Sequence, residues 1–366
     1  MLKEIKKLQA EAELRFWCDK KFESQARTII TAFDPAMRVD VIASGKLRRY
    51  HHLTLLQHVL WFSLMWSNIV DGFKFLGGIV QSFFKLLAWR PDVIFTKGGF
   101  VCLPVGIAAH ILRIPLVVHD SDAHPGLTNR VLARWASAIG TGAPLEYYDY
   151  PAEISKYVGV PISAEFTPHS NAEKRALKVE LGLAPDAPLI VITGGGLGST
   201  RLNNVVVGVL DDLLTIGSVV LVSGKGQYNE LAEKLPENSE QFQLHAFVNT
   251  MPQLLGAADV VVARAGATTI LELAALQVAT VLVPNAALTG GHQMKNAAVY
   301  GDAQAVIVLD EDVAVDEPET FVKTIKTFLT DEKTTKAMKT RFGQFAKPDA
   351  AREMAEMVVE AGVMLY

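Results

Sequence analysis

Short apolar runs rich in β-branched residues alternate with longer stretches of helical periodicity along almost the whole chain. This alternation is typical of βα units and predicts an α/β protein with parallel sheets. The predicted strands of the first half are residues 13–18, 38–43, 92–96, 116–119 and 138–141. Those of the second half are residues 189–193, 219–223, 243–247, 260–263, 279–283 and 305–309.

The two blocks of strands are separated by a segment that has prolines at both ends and a charged helical pattern over residues 173–181. We therefore predict an N-terminal domain over 1–160, a junction over 161–187 and a C-terminal domain over 188–345. A last helical pattern, over 350–363, is expected to pack back against the N-terminal domain.

One segment departs from the pattern of a soluble protein. From Leu53 to Val70 the chain has no Lys, Arg, Asp or Glu, yet its polar residues recur along one side of a helix. Three interpretations stay open: a patch that lies on a membrane surface, ordinary core packing, or a short membrane span. The basic and imidazole side chains directly before it, Arg48, Arg49, His51 and His52, would meet anionic head groups.

Composition narrows the class of protein. A chain of 366 residues, of which 50% are hydrophobic and 20% charged, fits a globular protein of about two domains. The net charge of −4, without a long basic run, argues against a nucleic-acid partner. Cys18 and Cys102 are the only cysteines, which argues against a disulfide framework or a structural zinc site and for a reducing cytosol.

Ligands of open parallel sheets gather where strands end and helices begin. Three loops at such positions are rich in glycine or polar residues. They are Thr96-Lys-Gly-Gly-Phe100, Thr193-Gly-Gly-Gly-Leu-Gly-Ser-Thr200 and Ala263-Arg-Ala-Gly-Ala-Thr-Thr-Ile-Leu-Glu272.

The third loop has two interpretations. A helix that begins near Ala267 would point its unpaired N–H groups at a phosphate, and Glu272 would accept hydrogen bonds from a ribose diol. Alternatively, Thr269-Ile-Leu-Glu272 is a capping box that only closes the first helical turn. The loop at 193–200 either cradles an anion with its backbone or is a plain tight turn.

A fourth polar segment, residues 119–129, follows an apolar strand. Asp120 and Asp122, with His124, could hold a divalent metal, or the carboxylates and His119 could supply a general base. A loop that merely caps the next helix is the other possibility.

Taken in order, four motifs resemble the MurG family of glycosyltransferases, which belongs to glycosyltransferase family 28, and the likeness runs over nearly the whole chain. It implies a GT-B fold, in which two Rossmann-like, doubly wound parallel-sheet domains face a cleft. It also implies inverting transfer of N-acetylglucosamine from UDP-N-acetylglucosamine to an undecaprenyl-linked muramyl-pentapeptide (lipid I to lipid II) by a peripheral enzyme on the cytoplasmic face of the cell membrane. The motifs are Gly98-Gly-Phe100, 119–129, 194–203, and 263–272 followed by His292-Gln-Met-Lys-Asn296.

The resemblance also implies roles for single residues, with neither metal nor cofactor, since a helix N-terminus can replace the cation. On the donor side it implies Ala267, Thr268 and Thr269 at the diphosphate, Glu272 at the ribose, Val248 at the uracil and Gln293 at the sugar hydroxyls, with Gly195, Gly196 and Arg264 beside them. On the acceptor side it implies Gly98, Gly99, Phe100 and Asn129. His119, Asp120 and Asp122 are the candidate bases.

The chain also departs from the family pattern. Asp122 stands where the family has Asn, Gly196 where it has Ser, and Ser163 where it has Arg. Residues 1–10 resemble only the later part of the family's first helix, so the preceding strand and its glycine-rich loop, with the family's base histidine, have no counterpart here. We expect this chain to begin at an internal methionine of a longer protein. We also expect the strands beside the first strand to have unpaired edges.

Two other functions remain possible from the sequence. The chain could bind a UDP-sugar without turnover, because the N-terminal loop is missing. It could also carry another GT-B activity, such as transfer to a glycolipid or epimerisation of UDP-N-acetylglucosamine.

Overall fold

The computed structural model describes residues 1–45, 62–286 and 291–363, without the side chains of 62–65 and 67. The strands are β1 (Arg15–Cys18), β2 (Arg38–Val41), β3 (Ile94–Thr96), β4 (Leu116–Asp120), β5 (Ala138–Thr141), β6 (Ser155–Tyr157), β7 (Leu189–Thr193), β8 (Ser218–Val222), β9 (Phe242–His245), β10 (Val260–Ala263), β11 (Ala279–Leu282) and β12 (Ile307–Val308). Every strand predicted from the sequence is present, with ends that shift by a few residues, and β6 was not predicted.

The helices connect these strands as the alternating pattern predicts. They are α1 (Leu2–Leu8), α2 (Glu23–Phe33), α3 (Phe62–Trp89), α4 (Cys102–Leu112), α5 (Leu127–Leu132), α6 (Asn171–Glu180), α7 (Thr200–Leu214), α8 (Tyr228–Ala232), α9 (Met251–Ala257), α10 (Ala267–Leu276), α11 (His292–Asp302), α12 (Glu311–Asp316), α13 (Pro318–Thr330), α14 (Glu332–Gly343) and α15 (Ala350–Val363).

The chain divides into two compact units. The first comprises Met1–Ser121, Pro125–Val158 and Ala351–Tyr366, and the second comprises Asp122–His124 and Gly159–Ala350. In the first unit, α15 packs with α1 and the sheet, because Met354 and Val358 share an apolar cluster with Ile5 and Val117.

The sheet of the first unit is in two pieces. Strands β3, β4, β5 and β6 pair in that order, all parallel, while β1 and β2 pair only with each other among the described residues. No ladder of the described chain joins β1 to β3, which agrees with the expectation that strand edges are unpaired here.

The second unit is built on one parallel sheet in the order β12-β11-β10-β7-β8-β9. The chain runs from β7 outwards to β9, returns to β10 beside β7, and then runs outwards to β12. The order therefore reverses between β7 and β10, the position where ligands bind in doubly wound sheets. Fully buried side chains such as Ile190, Val219 and Val262 fill the core between this sheet and its helices.

Helix α3 contains the later part of the apolar segment noted in the sequence, Leu53 to Val70. Residues 53–61 of that segment lie outside the described residues, as do Arg48, Arg49, His51 and His52 before it. Its buried side carries Asp71, Gly78, Ser82 and Leu86. The opposite side is solvent-exposed and apolar over Trp66, Ile69, Phe73, Leu76, Val80, Phe84 and Leu87, which we call the α3 stripe. Among the described helices, none is long and apolar enough to cross a membrane.

Candidate functional site

In the second half of the chain, two loops were predicted to bind phosphate. They follow two neighbouring strands of the sheet and therefore lie side by side. Ala263 at the end of β10 is the register partner of Thr193 at the end of β7. The glycine-rich loop follows Thr193, and the turn into α10 follows Ala263. The fold thus places both loops at the point where the strand order reverses.

Helix α10 begins as the phosphate interpretation requires. Gly266 is its N-cap, in an extended conformation, and no side chain caps the helix. The proposed capping box is therefore wrong, because Thr269 lies in the first turn of the helix rather than at its cap. The first N–H groups, on Ala267, Thr268 and Thr269, have no side-chain partner at this end and carry the positive pole of the helix dipole.

Glu272 lies in the second turn of α10 and is partly buried. Burial raises the pKa of its carboxyl group to about 7, since no cation among the described residues offsets the loss of water. A ligand that donates hydrogen bonds to this buried carboxylate would stabilise its charged form.

Arg264 is the centre of a buried polar network. It is 6% exposed, and its guanidinium donates to Ser199 Oγ, to the carbonyl oxygen of Val283 at 2.9 Å, and to the carboxylate of Glu311. Glu311 also accepts a hydrogen bond from the guanidinium of Arg201 at 2.9 Å. Arg264 therefore ties the N-cap of α7 to the ends of β10 and β11 and to α12, and four of its five N–H groups donate to other residues of the protein.

The glycine-rich loop is held tightly against the loop that follows β8. Gly195 and Gly198 both adopt positive φ angles of 78°. A Cβ atom on Gly198 would lie 2.0 Å from the carbonyl oxygen of Ser223, so only glycine fits there. Gly196 is exposed and has open space around it, and Leu197 is 97% exposed. The tip of the loop is thus accessible to a ligand while its base is fixed.

Asn296 of α11 joins three parts of the second unit. Its amide nitrogen donates to Asp122 Oδ1 at 2.9 Å and to the carbonyl oxygen of Ala265 at 3.1 Å, and its oxygen accepts from the Ala123 N–H at 2.8 Å. His292 Nδ1 lies 3.8 Å from Asp122 Oδ2. Asp122, 41% exposed at its side chain, is therefore placed beside the turn that opens α10.

Two further predicted donor residues border this region of the second unit. Gln293 accepts a hydrogen bond from the Asn285 N–H at 2.9 Å through its side-chain oxygen, and its amide nitrogen has no hydrogen-bond partner among the described residues. Val248 is half-buried in the turn after β9. Gln293 forms no hydrogen bond with α10 among the described residues.

The other two candidate bases are buried in the first unit. His119 is fully buried, with Nδ1 3.3 Å from Ser121 Oγ. Asp120 is 4% exposed and accepts a hydrogen bond from the Tyr150 hydroxyl at 2.8 Å. Burial, followed by the charge of Asp120, raises the pKa of Tyr150, which keeps the phenol protonated.

Residues predicted for the acceptor side meet at the end of β3. Gly98 and Gly99 have φ angles of 82° and 92°, and a Cβ atom on Gly98 would lie 2.9 Å from Asn129 Oδ1. Asn129 donates to the carbonyl oxygen of His119 at 3.2 Å, and its buried Oδ1 has no hydrogen-bond partner in the part of the chain that the structure describes. Phe100, 45% exposed, offers an apolar ring to solvent beside them.

Across the described chain no group of three or more His, Cys, Asp or Glu side chains is arranged to hold a metal ion.

Sequence reasoning missed the residues that hold this site in place. Ser199 had a local signal, since a serine before a helical pattern is a common N-cap. Glu311 had none, because it reaches Arg264 from 47 residues away. The role of Asn296 as a link to Asp122 likewise needs the folded chain.

The chain matches two sequence families along its length. Residues 23–141 match the glycosyltransferase family 28 N-terminal domain, and residues 189–354 match the glycosyltransferase family 28 C-terminal domain. A protein of Clostridium kluyveri is 35% identical over 277 residues, which cover 75% of this chain and 73% of that protein. A protein of Bacillus subtilis (strain 168) is 31% identical over 300 residues, which cover 81% of both chains. Both relatives are named UDP-N-acetylglucosamine–N-acetylmuramyl-(pentapeptide) pyrophosphoryl-undecaprenol N-acetylglucosamine transferase.

Solved structures with the same fold include MurG of Acinetobacter baumannii, with a TM-score of 0.74 and 23% identity over 98% of this chain and 94% of that one. The UDP-GlcNAc 2-epimerase from Neisseria meningitidis bound to UDP-GlcNAc has a TM-score of 0.62 and 11% identity over 98% and 94%. At such identities these likenesses establish the GT-B fold and nothing finer.

Proposed function

The chain belongs to glycosyltransferase family 28, and from this membership we propose that it transfers N-acetylglucosamine from UDP-N-acetylglucosamine to a lipid-linked muramyl-pentapeptide in peptidoglycan synthesis. The observation that carries the proposal is the open start of α10 at the end of β10, side by side with the glycine-rich loop after β7. That pairing offers a diphosphate a helix dipole and two sets of backbone N–H groups.

In the proposed reaction, the accepting hydroxyl attacks the anomeric carbon, the bond from that carbon to the diphosphate oxygen breaks, and UDP leaves with the bonding electrons. The N–H groups of Ala267, Thr268 and Thr269 stabilise the negative charge that grows on the leaving oxygen. This stabilisation needs no reorganisation, since the helix is fixed by the fold before the substrate arrives.

Glu272 is proposed to accept the ribose hydroxyls, one helical turn from the diphosphate. Val248 is proposed to contact the uracil and Gln293 the sugar hydroxyls, as the family resemblance implies. Arg264 is proposed to position the two loops, because four of its five N–H groups donate to Ser199, Val283 and Glu311. Its place beside the donor, which the family resemblance implies, stays part of the proposal.

The attacking hydroxyl must lose a proton, and Asp122 is our candidate to accept it. Of the three side chains predicted as bases, Asp122 is exposed enough to reach a substrate, whereas His119 and Asp120 are buried. We propose that these two instead shape the acceptor side of the first unit, with Gly98, Gly99, Phe100 and Asn129.

The α3 stripe is proposed to lie on the cytoplasmic membrane surface, where a lipid-linked acceptor resides. Its seven apolar side chains face solvent over about six helical turns, which is far more exposed apolar surface than scattered residues provide. Such an aligned face suits the boundary between head groups and acyl chains.

The test of this function is an incubation of the full chain with radiolabelled UDP-N-acetylglucosamine and the lipid-linked acceptor. Transfer of label to the lipid supports the proposal. Saturable UDP binding without transfer would identify a nucleotide-sugar-binding protein instead. Isomerised sugar nucleotide in the absence of acceptor would identify an epimerase, and either result would overturn the proposed transfer.

A further inference from the structure

A cavity lies in the second unit, at the end of the sheet opposite to the proposed donor site. It measures about 390 Å³ and is bordered by the residues that precede β7 and β10, by α6, and by the junction of α13 with α14. A strand of five residues spans roughly 16 Å, so this cavity and the start of α10 are separate places on the molecule.

The cavity is lined by more cations than anions. Lys174, Arg175, Lys178 and Lys339 face it, together with two carboxylates, Asp186 and Asp259. Arg175 is paired with Asp186 at 2.5 Å at the exposed rim.

The remaining carboxylate, Asp259, is shared. Lys178 donates to Asp259 Oδ2 and to the carbonyl oxygen of Ala187, both at 2.7 Å. Lys174 donates to the carbonyl oxygen of Ala258 at 2.5 Å and lies 3.7 Å from Asp259 Oδ1. Lys339 of α14 has neither a hydrogen bond nor an ion pair with any described residue. Three ammonium groups therefore face one carboxylate.

This excess of positive charge costs free energy, because the lysine side chains are largely shielded from water. The Lys174 side chain is 12% exposed and that of Lys178 is 6% exposed. Burial lowers the pKa of Lys174 to about 8; Asp259 opposes this effect, and Lys339 and Lys178 add to it. An anion would compensate these charges.

We propose that this cavity is a binding site for a small, soluble phosphate compound with two negative charges, held by Lys174 and Lys339. The volume lies within the usual range for small-molecule sites, about 300–1,000 Å³. Phe328 and Pro188 form an apolar wall beside the lysines, which suits the organic part of a phosphate ester. Because Lys339 has no other partner among the described residues, the anion gives it a charge-assisted contact.

The site is tested by calorimetric titration of pyrophosphate into the full chain saturated with UDP, so that the proposed donor site is occupied. We expect saturable binding of one pyrophosphate per chain, weakened at least about tenfold by Lys339→Met, the loss of one charge-assisted contact. Lys336→Met, an exposed lysine on the same helix that does not line the cavity, is the control and should bind as the parent does.

Absence of saturable binding to the parent, or equal binding by the Lys339→Met and Lys336→Met variants, would overturn the proposal. Circular dichroism checks that both variants fold. The comparison of the two variants does not require UDP to bind, so a failure of the proposed transferase function leaves this test intact.

A second readout uses sulfate, whose charge does not change between pH 6 and pH 9. An anion beside Lys174 stabilises its charged form and raises its pKa, so binding at pH 8 takes up protons and binding at pH 6 does not. The uptake is measured by titration in buffers with different ionisation enthalpies. Lys174→Arg keeps the charge and should abolish the uptake, whereas an uptake unchanged by this variant would contradict the role of Lys174.

Discussion

At the scale of single residues, burial of the Glu272 carboxylate costs free energy, and hydrogen bonds from the proposed ligand would offset this cost. Its pKa in the folded chain is about 7, above the ordinary 4.5, because burial disfavours the carboxylate. Protonation therefore stabilises the folded state; this contribution is complete below pH 4.5 and is lost as the pH rises through 7. We expect the neutral Glu272→Gln variant to be more stable than the parent at pH 8 and no more stable at pH 4.5, as measured by urea unfolding.

The same substitution should weaken UDP binding about tenfold or more, because the amide cannot accept two hydrogen bonds from the ribose diol as a carboxylate does. Glu237→Gln, at an exposed position in the same unit, is the matched control. Equal stability differences at the two pH values would contradict the raised pKa. Unchanged UDP affinity would remove Glu272 from the donor site.

Substitutions at Arg264 and Glu311 test whether one energetically coupled network holds the proposed donor loops. Arg264→Met leaves Glu311 with Arg201 alone and removes the donor to Ser199 Oγ and to the carbonyl oxygen of Val283, so we expect a loss of about 3–5 kcal/mol in the free energy of unfolding. With Glu311→Gln in the same chain, the two losses should not add, with a coupling of about 0.5–3 kcal/mol.

The control for this double-mutant cycle is the exposed pair Arg175 and Asp186, whose coupling should stay within about 1 kcal/mol. A coupling between Arg264 and Glu311 no larger than that of the exposed pair would mean that the buried contact does not join the loops energetically.

At the scale of secondary structure, local patterns identified most elements because a strand buried on both faces shows itself as a run of β-branched residues. The five residues of β7 are all buried, and the sequence gives its ends correctly. Strand β6 is a three-residue edge strand, Ser155-Lys-Tyr157, with little apolar signal, and it was missed. Likewise β12 is only Ile307–Val308, shorter than predicted, since as an edge strand it pairs with β11 alone.

Helix α3 is the element whose environment the sequence left open. Periodicity indicated a helix with one apolar side but not which side the protein would cover. The fold buries the side with Asp71 and Ser82, because Gly78 lets the helix pack closely on Ala43, where a Cβ atom would lie 2.0 Å from the carbonyl oxygen.

The exposed α3 stripe predicts membrane binding that depends on aromatic side chains. Phe73 and Phe84 are 71% and 63% exposed. Changing both to Ser should reduce co-sedimentation with anionic vesicles at least about tenfold, since burial of each ring in the bilayer interface is worth about 1.5–3 kcal/mol. Val179→Ser, at an exposed apolar position of the second unit, should bind as the parent does. Equal binding by the double variant and the parent would exclude the stripe as the membrane contact.

At the scale of the whole molecule, the proposed donor site draws on a single unit. Sequence motifs predicted its loops, because glycine, threonine and glutamate at a strand end have local chemical meaning. The supports from Glu311 and Asn296 come from distant helices, and only the strand order brings them to Arg264 and Ala265. Asp122 is the exception in chain position, since residues 122–124 belong to the second unit although Ser121 and Pro125, on either side of them, belong to the first.

This division predicts where UDP will protect the backbone. If the donor contacts lie at 194–200 and 264–272, saturating UDP should slow amide hydrogen exchange there by the factor 1 + [UDP]/Kd, provided these segments exchange only from states that do not bind UDP. The strands β4 and β5 of the first unit contribute no donor residue and should exchange at unchanged rates. The comparison with Glu272→Ala at the same UDP concentration isolates the effect of binding. Protection of β4 and β5 with none at 264–272 would place the nucleotide in the first unit and contradict the assignment of α10 to the diphosphate.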